Sequence, residues 1–225
     1  MQLIKQKGFT LVEIAIVLVN VGLLIGGVLK GQEMNTNAKL KRIESDNAGI
    51  AAAMFSYQDR YTQLPGDDAA AVGRFDVFVG ASGTLDGDGN GLIEGNWVGD
   101  DAAAAPDYET GLFWKHLRAS GLIAGAALDA TQPTNAYGGL IGLRDGALEI
   151  TGHATIFGNI EGPIAKILEG RLDDGAPNGG RVQSFCLSGA AICENSGSAT
   201  SADDTGNTGD AAYVDDARYD MGFRL

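Results

Sequence analysis

The feature that most constrains this chain is its apolar stretch from Phe9 to Leu29. These are 21 residues in which only Thr10, Glu13 and Asn20 are clearly polar. At about 1.5 Å per helical residue the stretch spans roughly 32 Å, enough to cross a hydrocarbon core. A carboxylate inside such a segment is costly, so Glu13 needs a partner or a role. Lys5 and Lys7 come before the stretch. The positive-inside rule therefore puts Met1–Gly8 on the cytoplasmic side and the bulk of the chain outside. An ordinary cleaved secretory signal would have a shorter apolar region, about 7–15 residues, followed by a small-x-small site. Here the run is longer and closes on Val28-Leu29-Lys30-Gly31.

The helix is expected to continue well beyond Leu29. No proline occurs between Lys30 and Tyr61, and Leu40, Ile43, Ile50, Met54, Tyr57 and Tyr61 fall on one helical face. Gly26, Gly27 and Gly31 are points where it could bend. Pro65 ends it, and Pro65-Gly66-Asp67-Asp68 reads as a turn. Asp68 is a candidate cap for a short helical turn from Ala69 to Val72. A second helix is expected from Asp107, its candidate N-cap, to Ser120, with Leu112, Phe113, Trp114 and Leu117 as its apolar face. Leu140–Leu143 and Leu148–Phe157 read as a hairpin turning at Arg144-Asp145-Gly146. A third helix is expected within Ile160–Leu172, with Pro163 in its first turn. Arg181–Leu187 reads as a further strand. Asn195–Asp210 is almost devoid of apolar groups and is expected to be a mobile loop. Ala211–Leu225 is expected to dock back. The resulting fold class is α+β, a long N-terminal helix whose amphipathic half packs on a small antiparallel sheet.

The formal net charge of −13 argues against nucleic-acid binding, which needs a basic footprint. The 34 glycines cluster with Asp, Asn and Ser, a pattern of many turns. The densest cluster, Asp86-Gly87-Asp88-Gly89-Asn90-Gly91-Leu92-Ile93-Glu94, has the form of an oxygen-rich calcium loop. Asp86, Asp88, Asn90 and Glu94 would supply side-chain oxygens, Leu92 its carbonyl, and Gly91 the sharp turn. The twelfth position, bidentate Glu in an EF-hand loop, is Trp97, so Glu94, Asp100 or Asp101 would have to close the shell. The alternative is an acidic turn without metal. The same glycines do not make a phosphate loop, because Asp86 and Asp88 would repel phosphate. His116 and His153 have no second histidine at ligand spacing. No catalytic signature stands out, and the chain is read as a non-enzyme. Cys186 and Cys193 lie seven apart in the part expected outside the cytoplasm, where one short-loop disulfide is the simplest reading and two buried thiols the alternative.

Gly8-Phe9-Thr10-Leu11-Val12-Glu13, followed by an apolar helix, resembles the N-terminus of the type IV pilins and type II secretion pseudopilins. That resemblance implies cleavage between Gly8 and Phe9 by a prepilin peptidase, methylation of the new N-terminus, and Glu13 as the group that docks subunits. It implies a removed leader at 1–8, a membrane and filament-core helix at 9–29, and a globular domain at 30–225 that includes the amphipathic half of the helix. Its partners would be the inner-membrane assembly platform and other pilins or pseudopilins, including copies of itself. The chain would be a single-pass inner-membrane protein before joining a periplasmic or extracellular filament. Three later stretches also resemble a set that recurs in a subgroup of prepilin-like proteins: Tyr61–Asp67, Asp86–Gly91, and Phe113–Leu117 with Ala119–Ile123. Leu172–Gly175 completes that set. The function implied is a structural filament subunit, with a minor tip-located pilin acting as an adhesin or binding module as the alternative.

Overall fold

The computed structural model describes residues 10–97, 108–186 and 213–225. Helix α1 is one uninterrupted element, Leu11–Tyr61, and it runs through Gly26, Gly27 and Gly31 without a break. Its first turn is a capping box. The Thr10 N–H and hydroxyl donate to Glu13 Oε2 at 2.8 and 2.9 Å, and the Glu13 N–H donates back to Thr10 Oγ1 at 3.3 Å. Two backbone donors that begin a helix without partners are thereby satisfied. The helix stops where Thr62 takes a left-handed φ of 58° and its N–H closes on the Gln58 carbonyl at 2.8 Å.

The chain divides into two compact units, Met1–Lys41 and Arg42–Leu225. In the first, the helix surface from Leu11 to Leu29 is apolar and open: Leu11 is 90% exposed and Leu23 72%. It is long and apolar enough to be a candidate membrane span. In the second unit the helix becomes a core element. Ile43, Ile50, Met54 and Tyr57 are buried, as is Leu40 just before them, while Tyr61 is half-buried. This is the apolar stripe that the spacing predicts. Asn47 faces the sheet and accepts a hydrogen bond from the Thr155 hydroxyl.

The sheet has four antiparallel strands in the order β1-β2-β4-β3. They are β1, Ile141–Asp145; β2, His153–Glu161; β3, Val182–Cys186; and β4, Arg218–Arg224. The returning C-terminal segment therefore forms an inner strand. Short helices follow α1: α2, Ala71–Arg74; α3, Glu109–Ala119; and α4, Gly162–Leu172, with its proline in the first turn.

Three local expectations are corrected. The turn between β1 and β2 is longer than Arg144-Asp145-Gly146. Leu148 and Ile150 belong to a compact connection that includes a 3-10 turn at Ala147–Glu149, not to a strand. The Gly146 N–H bonds the Gly152 carbonyl at 3.1 Å, and Leu148 adopts φ 52°, which tucks its side chain into the core beside Trp97, Ile156 and Phe185. The short helix after Pro65 begins two residues later than expected. Its early N–H at Val72 is taken by Asp86, at 2.7 Å, from a different loop. Helix α3 is capped at Tyr108 without a side-chain bond, and Asp107 lies outside the described residues.

Candidate functional site

The turn after α1 and the acidic loop fold around each other. The Asp67 carboxylate, 2% exposed, accepts three backbone N–H bonds from the loop: Gly89 at 2.6 Å, Asn90 at 3.0 Å and Gly91 at 2.8 Å. Glu109, in the first turn of α3, reaches in from the other side. It accepts the Asp88 N–H at 3.1 Å and the Glu94 N–H at 3.0 Å. Two glycines permit this closeness. A Cβ on Gly87 would stand 2.4 Å from the Asp67 backbone and from the Gly66 carbonyl. Gly66 has a φ of +96°, and a Cβ there would sit 2.6 Å from the Glu109 carbonyl.

The arrangement concentrates negative charge. Carboxylate oxygens of Asp67, Asp88 and Glu109 lie within 4.8 Å of one another. Burial above all pushes the Glu109 carboxyl above its ordinary range, and the charges of Asp67 and Asp88 add to this against the pull of the two N–H donors. Beside the cluster is an open cavity of about 370 Å³, lined by Thr84, Asp86, Asp88, Glu94, Tyr108 and Glu109 among others. An oxygen-only, carboxylate-rich donor set suits a hard cation such as calcium.

The loop residues expected to bind metal are distributed as follows. Asp88 is in the cluster. Asp86 lines the cavity, but one of its oxygens is committed to Val72. Asn90 braces the loop itself: its amide donates to Asp88 at 3.0 Å, and its carbonyl oxygen accepts the Leu92 N–H at 2.7 Å. Glu94 lines the cavity, and Leu92 is exposed. Trp97 is a core residue, and Asp100 and Asp101 lie outside the described residues. Sequence reasoning missed Asp67 and Glu109. Pro65–Asp68 has only the composition of a turn, and Glu109 is 21 residues beyond Asp88.

Behind the cluster lies a buried polar network. Asp68, fully buried, receives the Tyr57 hydroxyl at 2.7 Å, Arg74 Nε at 2.9 Å and the Ala70 N–H at 2.9 Å. Burial is the largest single influence on Asp68 and pushes it up. The hydrogen bonds from Arg74, Tyr57 and Ala70 together outweigh that and hold it below its ordinary value. Arg74 also lies 4.8 Å over the Tyr61 ring.

His116, completely buried, ties three segments together. The Gly66 N–H donates to its Nδ1 at 2.9 Å, and its Nε2 sits 2.8 Å from the Leu85 carbonyl. This pairing defines the neutral tautomer with the proton on Nε2. Burial, which penalises the charged ring, holds the imidazole below its ordinary value, and a second ring proton would also face the Gly66 N–H. A group depressed in the folded state contributes stability above the unfolded value near pH 6.5 and loses it as pH falls. The melting-temperature advantage of wild type over His116→Gln is therefore expected to shrink as pH drops from 7 to 5.5. An advantage that stays constant over that interval would show that His116 does not titrate with folding.

Cys186 ends β3 in a disulfide. Cys193, its expected partner, lies outside the described residues, as do Gly8, Phe9 and Asn195–Asp210. Glu13 stands near the start of α1, within the capping box. No family model, no curated protein and no solved structure matches this chain.

Proposed function

We propose that this chain is a structural subunit of a type IV pilus-like or type II secretion pseudopilus filament, released from the inner membrane after a prepilin peptidase cuts between Gly8 and Phe9. The observation that carries this reading is the composition of α1. One helix joins an open apolar half to a half that is built into an α+β domain. Withdrawing each Leu, Ile or Val from water stabilises by about 1.5–3 kcal/mol, so the apolar half calls for lipid or neighbouring copies around it. Lipid before assembly and other subunits after it would supply both covers. Glu13 then meets the positive N-terminal amine of a neighbour, which offsets the cost of leaving water.

Processing tests the reading. N-terminal sequencing of the mature protein is expected to begin at Phe9, and Gly8→Ala is expected to leave the leader attached. The peptidase must fit closely around the backbone before the cut, where a side chain would crowd it. Mature Phe9 recovered from the Gly8→Ala protein would overturn the assignment.

Calcium belongs to the same proposal as a structural ion of the domain. Asp67, Asp88 and Glu109 would hold it, with Asp86 and Glu94 at the rim of the cavity. It would neutralise three close carboxylates and stiffen the turn that follows the long helix. What supports this is the close approach of the three acids.

A further inference from the structure

Away from the acidic loop, a second buried acid has no evident use. Glu169 lies in α4 and is fully buried. Its Oε2 accepts the Tyr213 hydroxyl at 3.0 Å, and that hydroxyl is itself 2.7 Å from the Ser184 hydroxyl on β3. Its Oε1 is buried with no hydrogen-bond partner. Tyr213 leads toward β4: the Val214 N–H bonds the Tyr219 hydroxyl at 2.9 Å, and the Tyr213 and Tyr219 rings meet edge to face with centroids 4.9 Å apart. Glu169, Ser184 and Tyr213 thus join a helix, an edge strand and the approach to an inner strand.

We propose that Glu169, Tyr213 and Ser184 form a proton-controlled clasp that fastens α4 to β3 and to the segment entering β4, closed while Glu169 carries a proton and weakened by its loss. In the closed state the neutral Glu169 carboxyl accepts the Tyr213 hydrogen at Oε2, and the Ser184 and Tyr213 hydroxyls share the next hydrogen bond. Loss of the proton leaves a buried anion with one bare oxygen. The charged groups acting on Glu169 are Asp173 and Asp174, both negative. The neighbouring cations are otherwise engaged or distant: Arg171 pairs with Glu44 at 3.6 Å, Arg218 with Glu161 at 3.5 Å, and Lys166 is exposed. On β4, Asp220 accepts the Asn159 N–H at 3.0 Å. On β2, His153 lies 3.3 Å from Asp145. Burial above all, then these like charges, raises the Glu169 carboxyl to about 8 against the Tyr213 hydrogen bond.

The direction of the pH effect follows. A carboxyl raised on folding stabilises most below its unfolded value and loses that contribution as pH rises through the folded one. Opening the clasp releases the proton, so each pH unit up to about 8 favours opening about tenfold, and the dependence levels off above it. The test uses the full-length chain in detergent. Infrared difference spectra of the wild type are expected to show a buried carboxylic acid at pH 7 that disappears with a midpoint near 8. Amide exchange in α4 and β3, corrected for its intrinsic base catalysis, is expected to lose protection about tenfold per unit from pH 6 to 8. Glu169→Gln, which mimics the neutral acid, is expected to remove that slope. The infrared measurement needs no variant, so it decides the matter even where Glu169→Gln folds poorly. A carboxylic acid band already lost at pH 5.5, or an exchange slope unchanged in Glu169→Gln, would overturn the proposal.

Discussion

Asp67→Ala is expected to lower the melting temperature by about 6–12 °C. The carboxylate satisfies three backbone N–H groups of the acidic loop while itself almost fully buried. An unsatisfied buried donor costs about 1–3 kcal/mol, and the exposed flank of this loop lets water recover part of that, leaving about 3 kcal/mol in all. For a domain of this size each kcal/mol moves the midpoint by about 2–4 °C. Asp67→Asn keeps one acceptor oxygen but turns an amide toward the donors, so its loss should fall in between. The same variant bears on calcium. At tenfold above its Kd the ion would add about 1.4 kcal/mol to the wild type, or about 3–6 °C, and nothing to Asp67→Ala. Magnesium should substitute poorly, because it demands a tighter octahedron. Wild-type melts that coincide with and without millimolar calcium would reduce Asp67, Asp88 and Glu109 to acceptors for backbone N–H groups.

Glu13→Val and Glu13→Gln are both expected to abolish filaments while leaving membrane insertion intact. The pair is needed because Glu13 has two candidate roles. Within its own chain it closes the capping box with Thr10, an interaction of about 1 kcal/mol. In an assembled filament it would supply the counter-charge for a neighbour's amine. Gln keeps a carbonyl oxygen for the Thr10 N–H and hydroxyl but carries no charge, whereas Val removes both functions. Filament yield can be read from sheared cell-surface or periplasmic fractions. Normal yield from Glu13→Gln would assign Glu13 to the helix start and withdraw the docking role.

The parts of the fold that depend on one element were legible in the sequence. The stripe through Ile43, Ile50, Met54 and Tyr57 repeats every three, four or seven residues, and its burial follows from that spacing. The capping box is present as Thr10-x-x-Glu13, a pattern that the apolar surroundings of Glu13 overshadow. What depended on distant partners was not legible. Leu148 and Ile150 alternate as strand residues do, yet the bond between Gly146 and Gly152 curls them into a turn. Two of the three acids in the cluster come from outside the acidic loop, because Asp67 and Glu109 meet Asp88 only once α1, the turn and α3 have come together. Gly87 looks like loop filler until the backbone of Asp67 is seen lying against it.

The position of β4 has a consequence for when the domain can form. Residues 218–224 lie between β2 and β3, which have no pairing with each other except through them. A chain made from its N-terminus onward can assemble α1, α3 and the β1–β2 hairpin early. The sheet stays incomplete until Arg224 has been delivered. Such late, long-range pairing is slow compared with helix formation. Under the filament reading proposed above, the chain would pass through the membrane in an open, half-built form and close only after nearly all of it has crossed.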